Sequence, residues 1–225
     1  MSLDSEITRL LIEGGACDIG MSRPGDGPAG LDYALSFAVP LSDTIVDQIE
    51  DSPTFSYFHH YRSVNTLIDQ LELQVGLLLQ RNGYLYMPIA ASQSQPKKGE
   101  RTHEGLYSHK KAAVLGGLGT IGKSALFLHH KHGPRVRLGT IFTDYAFSIV
   151  EHKFEESSCG ECELCQTACP AGAIKGNNWF SGCEREHLVD PWVCNDYMRD
   201  HFMKIGRGSV CGICMSVCPC GQKQH

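Results

Sequence analysis

Cys159-Gly-Glu-Cys162-Glu-Leu-Cys165-Gln-Thr-Ala-Cys169-Pro170 decides what the last third of this chain is. Three thiolates on one tight loop reach three corners of one four-iron cubane, while the fourth opens a helical turn and points toward a second cluster. Pro170 fixes the backbone after it and removes an amide hydrogen that would go unpaired there. Cys211-Gly-Ile-Cys214-Met-Ser-Val-Cys218-Pro219 repeats that pattern with one member displaced upstream. Crossed sets follow. Cys159, Cys162, Cys165 and Cys218 are expected to hold one 4Fe-4S cluster. Cys169, Cys211, Cys214 and one upstream cysteine, Cys194 or Cys183, are expected to hold the other. Cys194 is favoured because its loop back to Cys211 is the shorter to close. Zinc ribbons also use CxxC pairs, but zinc takes four ligands per site and has no use for two CxxxCP endings.

Ten of the 11 cysteines lie between Cys159 and Cys220. Such crowding in a reducing compartment indicates metal ligation over disulfides. Cys17, Cys183 and Cys220 read as small buried residues, with Cys220 the nearest to the motifs. The 225 residues are 42% hydrophobic and 20% charged, the balance of a soluble globular protein. A net charge of −5 and the lack of any long Lys/Arg run argue against a dedicated phosphate-backbone binder. No run approaches the ~18–20 apolar residues of a membrane span. The first thirty residues lack a signal-peptide layout, so the expected location is cytoplasmic, without a membrane partner.

Working outward toward the N-terminus, residues 5–13 form an expected amphipathic helix closed by Gly14-Gly15. Residues 31–39 read as a strand halted by Pro40, and Ser42-Asp43 as the cap of a helix to about Glu50. Val64, Leu67, Ile68, Leu71, Val75, Leu78 and Leu79 follow the helical period until Asn82-Gly83 stops it. Strands are expected over Tyr84–Ala90 and Arg135–Tyr145, with a polar loop from Ser92 to Arg101. Strands alternating with helices as far as residue 150 indicate an α/β or α+β domain. The expected division is therefore 1–153 for this core and 154–225 for a double 4Fe-4S, ferredoxin-like domain.

Gly117-Leu118-Gly119-Thr120-Ile121-Gly122-Lys123-Ser124 satisfies two nucleotide motifs at once, GxGxxG and GxxxxGKS. Both are rejected on context. A dinucleotide-binding strand normally leads its domain, yet more than a hundred residues precede this loop. A P-loop needs a larger nucleotide-binding core than the roughly thirty residues left before the cysteines.

The combination resembles a known family. Gly116–Lys123, then His132-Gly-Pro-Arg-Val-Arg-Leu-Gly-Thr-Ile-Phe-Thr-Asp144, then the double cluster motif are similar to epoxyqueuosine reductase and the reductive dehalogenases. Ala16–Gly20, Tyr57–Asn65 and Gly83-Tyr84 extend the likeness over nearly the whole chain. The resemblance implies a nitroreductase-like α+β core that binds cobalamin, with Gly117, Gly119, Gly122 and Lys123 against the corrin and two clusters supplying electrons. It also supports Cys194, through Val193-Cys194-Asn195-Asp196-Tyr197-Met198. The absence of a D-x-H-x-x-G motif agrees with the family's five-coordinate cofactor.

Three departures qualify what is carried over. Epoxyqueuosine reductases continue into a helical tRNA-binding region, whereas this sequence stops at His225, so nucleic acid is not the expected partner. The twin-arginine signal of respiratory dehalogenases is absent. Where the reductases have a catalytic Asp, Thr102-His103-Glu104-Gly105-Leu106-Tyr107 offers none, leaving His103, Glu104 and Tyr107 as candidate proton donors. The expectation is an iron–sulfur oxidoreductase whose partner is a small-molecule substrate or a redox protein. The alternatives are a ferredoxin-like electron carrier and a corrinoid-reducing or corrinoid-handling protein serving another enzyme.

Overall fold

The computed structural model describes residues 2–100, 102–150, 152, 156–206 and 208–222. The chain falls into two compact units, each assembled from separated stretches. One comprises Met1–Pro40, Val64–Leu118 and Arg137–Phe154; the other comprises Leu41–Ser63, Gly119–Val136 and Glu155–His225. The earlier stretches 41–63 and 119–136 thus group with the cysteine segment, an interleaving that linear composition does not reveal.

The first unit mixes helices with a four-stranded sheet. Helix α1 (Leu3–Glu13) starts where the Ser2 hydroxyl accepts from the Ser5 amide, and it ends at Gly14-Gly15, Gly15 having φ +105°. Strands β1 (Asp18–Ser22) and β2 (Tyr33–Pro40) pair antiparallel, Asp18 opposite Ala38. Strand β3 (Tyr86–Ile89) pairs antiparallel with β6 (Val136–Thr143), Tyr86 opposite Thr143, and the sheet order is β1-β2-β6-β3. The two central strands are buried along almost their whole length, which explains their near-continuous apolar sequences. Pro88 lies on the edge strand, where a missing amide hydrogen costs least. Gly139 is required inside β6, since a Cβ there would lie 2.3 Å from the Phe37 ring.

Helix α3 (Phe55–Arg81) begins nine residues before the periodic stretch expected from Val64. The readable signal was Thr54, whose hydroxyl accepts from the Tyr57 amide at 3.0 Å. Its end at Asn82-Gly83 is as expected, Gly83 having φ +86°. Conversely α2 (Asp43–Val46) is one turn long and stops well short of Glu50, with Pro53 disfavouring helix just downstream. β3 is also shorter than the expected Tyr84–Ala90.

Helix α4 (His109–Leu115) is capped by Ser108, whose hydroxyl accepts from the Lys111 amide, and leads straight into the glycine loop. In the second unit, β4 (Gly119–Ile121) and β5 (Phe127–His129) form a small antiparallel hairpin. The order at the loop is therefore helix, loop, strand. A P-loop or dinucleotide fingerprint needs strand, loop, helix, so that the helix N-terminus faces the phosphate. Both nucleotide readings fall on this inversion. The cysteine segment adds four helices: α5 (Leu164–Ala168), α6 (Arg185–Leu188), α7 (Pro191–Gly206) and α8 (Ile213–Ser216).

Candidate metal centre

Each motif cysteine is placed by a short local device. The Cys162 amide donates to the Cys159 carbonyl at 2.8 Å, tightening the first loop, and Cys165 then enters α5. Cys169 ends that helix, its amide bonding the Gln166 carbonyl. Gly212 takes φ +90° between Cys211 and the turn of α8 that carries Cys214, a conformation costly for any side chain bearing a Cβ. Asp190 caps α7 by accepting from the Trp192 and Val193 amides at 2.9 and 3.1 Å, which fixes Cys194 in the first turn.

The thiols crowd one another in two overlapping sets, Cys165 of the first also acting on Cys214 of the second. Cys165 is pushed up by burial and then by Cys159 and Cys162. Cys218 is pushed up to about 12, chiefly by burial, with Cys220 and then Cys159 adding to it. In the other group Cys194 is pushed up to about 11 by burial and then by Cys169 and Cys211. Burial raises Cys211 as well, with Cys169 adding to it. Cys214 is raised most, by burial and then by Cys211, Cys194, Cys165 and Cys169. Cys183 follows a turn at Gly182 and influences none of these thiols, which distinguishes it from Cys194.

Thiols so buried and crowded resist ionising until a positively charged centre binds them, and iron–sulfur cores are such centres. The donor set therefore fits two cubanes. Among the described residues no three His, Cys, Asp or Glu side chains converge on a single ion. Ligands of one cubane bind separate irons and stand farther apart than those of one zinc.

The glycine loop is shaped by the chain itself. A Cβ on Gly117 (φ +75°) would lie 2.3 Å from the His152 ring, and one on Gly119 (φ +153°) would lie 2.1 Å from the Leu128 carbonyl oxygen. A Cβ on Gly122 would meet Leu128 at 3.0 Å and the Cys159 sulfur at 3.3 Å. Internal packing thus explains why these residues are glycines, and their missing side chains carry no argument for a corrin. Lys123 is buried, and its amide donates to Cys159 Sγ at 3.5 Å.

The three candidate acids share the loop between β3 and α4 but not one environment. Glu104 is exposed and paired with Lys97 across a small turn. His103 is half-buried. Tyr107 packs edge-on against Phe142 and donates its hydroxyl to Asp26 Oδ1 at 2.8 Å. Burial, with Asp26 second, raises the Tyr107 hydroxyl well above the usual phenol range. Lys111 pairs with Asp26 and lies 5.2 Å over the Tyr107 ring. Lys111 in turn holds the Asp26 carboxyl below the ordinary carboxylate range. An aspartate, absent from 102–107, is thus brought to Tyr107 from the β1–β2 connection, eighty-one residues away.

A second polar group escaped the sequence reading. Glu72, buried on α3, accepts from the Thr140 amide at 2.8 Å, and burial pushes its carboxyl up to about 9. His109 Nδ1 lies 2.9 Å from the Thr140 hydroxyl and Nε2 lies 3.1 Å from the Ala90 carbonyl. Burial lowers this imidazole to about 4, so it is neutral and donates from Nε2 to that carbonyl. Asp69 accepts from the Ala91 amide, and Arg137 donates to Asn65 and to the Ala91 carbonyl. Both ends of the loop that carries the candidate acids are pinned this way. The signal was present in the sequence: Glu72 interrupts the stripe of Ile68, Val75 and Leu79.

Residues 158–221 match the 4Fe-4S double cluster binding domain. The chain is 29% identical over 117 residues to the epoxyqueuosine reductase of Staphylococcus aureus, covering 51% of this chain and 30% of that one. It is 30% identical over 115 residues to a tetrachloroethene reductive dehalogenase of Desulfitobacterium hafniense, covering 47% and 21%. Its homologues are epoxyqueuosine reductases and reductive dehalogenases. The fold agrees with a solved reductive dehalogenase described in connection with B12-dependent dehalogenation, at TM-score 0.74 and 18% identity over 97% of this chain and 32% of that one. An epoxyqueuosine reductase solved with a modified tRNA stem loop superposes at TM-score 0.56 and 18% identity, covering 97% and 65%. The chain spans less than a third of the length of these two curated relatives. Among the described residues no helix is long and apolar enough to cross a membrane.

Proposed function

We propose that this protein is an iron–sulfur oxidoreductase in which two 4Fe-4S clusters deliver electrons to a cobalamin that reduces a small substrate. Cys159, Cys162, Cys165 and Cys218 hold one cluster; Cys169, Cys194, Cys211 and Cys214 hold the other. The match of residues 158–221 to a 4Fe-4S double cluster binding domain carries the reading, and the mutual crowding of these thiols supports it. The cobalamin and the nitroreductase-like character of the core rest on the relatives, and the boundary at 153/154 on where the cysteine-rich composition begins. When bound, a reduced corrin supplies a strong nucleophile or one-electron donor. Gly117, Gly119, Gly122 and Lys123 are the residues proposed to lie beside it.

Reduction of an epoxide or carbon–halogen bond needs a proton nearby. His103, Glu104 and Tyr107 remain the candidate donors, and Tyr107 has the most developed surroundings. Asp26 holds its hydroxyl proton in one orientation, and Lys111 balances the carboxylate that does so. A small-molecule substrate is favoured by the acidic balance of the chain. A cytoplasmic location suits the free thiols.

The rival reading, a ferredoxin-like electron carrier, is favoured by the internal packing of the glycine loop. Equilibrium dialysis of the anaerobically reconstituted protein against cobalamin separates the two. Retention near one equivalent supports the reductase, whereas no retention by protein with a full iron complement leaves the carrier as the better account. Turnover of a small substrate without a partner would then distinguish a reductase from a corrinoid-handling protein. A tRNA stem loop belongs in the same assay, given the company of the relatives.

A further inference from the structure

Lys123 is 5% exposed, a rare degree of burial for a lysine. A cation whose stem is that buried is screened less by water than one on an open surface. A nucleotide phosphate is excluded by the helix–loop–strand order at this loop. One group fixed beside its backbone is a cysteine thiol, which becomes anionic on binding iron. The Lys123 amide touches Cys159 Sγ at 3.5 Å, and residue 122 approaches the same sulfur so closely that a Cβ would stand 3.3 Å from it. From that anchored backbone a lysine side chain keeps its charge within roughly 10 Å of the sulfur, about one screening length in salt water and less screened when buried.

We propose that Lys123 is the built-in counter-charge of the cluster held by Cys159, Cys162, Cys165 and Cys218, and that it raises the reduction potential of that cluster. This rests on the two-cluster reading above. A cubane with four thiolates carries net negative charge in both redox states and more in the reduced one, so a fixed cation favours the reduced form. The amide hydrogen bond to Cys159 acts in the same direction. The step is one electron from an external reductant onto the cluster, with no bond made or broken and no proton moved. The cluster held by the other four thiols is expected to be much less sensitive to residue 123.

The test is a potentiometric titration of the reconstituted full chain, followed by electron paramagnetic resonance, for wild type, Lys123→Gln and Lys123→Arg. Lys123→Gln should move one reduction step to lower potential and leave the other in place, with iron content unchanged, while Lys123→Arg should stay near wild type. Repeating the Gln variant in a Cys194→Ser background, which removes the second cluster, assigns the shifted step. Equal potentials in wild type and Lys123→Gln, or a shift in the wrong step, would overturn the proposal. Loss of iron from both variants would overturn it in favour of a packing role. Unchanged potentials with weakened binding of inorganic phosphate would make Lys123 a ligand site instead. Wild-type protein that fails to take up two clusters refutes the parent reading, and its iron count shows that separately.

Discussion

Around β2 and β6, Ala34, Leu35, Phe37, Ala38, Ile141 and Phe142 are wholly buried. From residue 156 onward the buried apolar side chains among the described residues are Ala173, Ile174, Leu188, Phe202, Ile213 and Met215. There Leu164, Phe180, Trp192, Val193 and Met203 stay exposed. The sheet is lined with wholly buried apolar side chains, whereas the cysteine segment has few of its own and shares a unit with 41–63 and 119–136, which bring Val46, Ile49, Phe127 and Leu128. If the proposed clusters bind there, their binding free energy is also folding free energy for the segment.

The sharpest way to break that comparison is to remove the iron. Chelation under reducing conditions should speed amide exchange across residues 158–221 by ~100-fold or more, since metal-ligand free energy there is folding free energy. Amides in β2 and β6 should slow-exchange much as before. Equal loss in both regions, read by mass spectrometry, would show that the sheet also depends on the clusters.

Next in size is the choice of ligand. Cys194→Ser should lower bound iron from roughly eight to roughly four per chain, while Cys183→Ser should leave it unchanged. Equal losses, or loss with Cys183 alone, would reassign the displaced ligand.

On the sheet side, Glu72 gives a pH signature. A carboxyl with a folded-state value of about 9 holds its proton where the unfolded chain, near the usual value of 4.5, has lost it. Stability therefore falls as pH rises between those values, by at most about 1.4 kcal/mol per pH unit, and levels off above them. His109, lowered to about 4, works oppositely on the acid side: its contribution is lost as pH falls below the usual 6.5. Glu72→Gln should flatten the alkaline slope seen in β6 amide exchange. An unchanged slope would show that Glu72 is ionised in the folded protein.

The smallest effect is expected at Glu104. Its pair with Lys97 is exposed on both sides, so Glu104→Gln should change thermal stability by about 0.5 kcal/mol or less. If turnover nonetheless collapses, Glu104 and not Tyr107 is the proton donor.

Much of this was legible locally. Capping residues, Gly15 and Gly83 at positive φ, and the apolar runs of β2 and β6 announce their own conformations through near neighbours. The apolar period marks α3 only from Val64, because Phe55–Ser63 lacks it and only the cap at Thr54 signals the true beginning. α2 was overextended because a cap signals where a helix starts and not how long packing will sustain it. Glu72 was passed over because a single acid in an apolar stripe does not disclose which backbone amide will meet it.

The cysteine spacing by itself determined that the C-terminal segment carries a double cluster motif, because three thiols on one loop and a fourth turned away are a property of a dozen consecutive residues. The hydrophobic period likewise determined the helix and strand character of the longest runs. Only the tertiary structure decided that Asp26 reaches Tyr107, that Glu72 and His109 flank Thr140, and that the backbone of Lys123 rests on Cys159. These pairs are separated by tens of residues, and their energies come from desolvation and hydrogen-bond geometry that exist only after the chain has folded. The glycines at 117 and 119 make the same point from the other side. As letters they spell a ligand loop; in space they are the residues that let His152 and the Leu128 carbonyl come close.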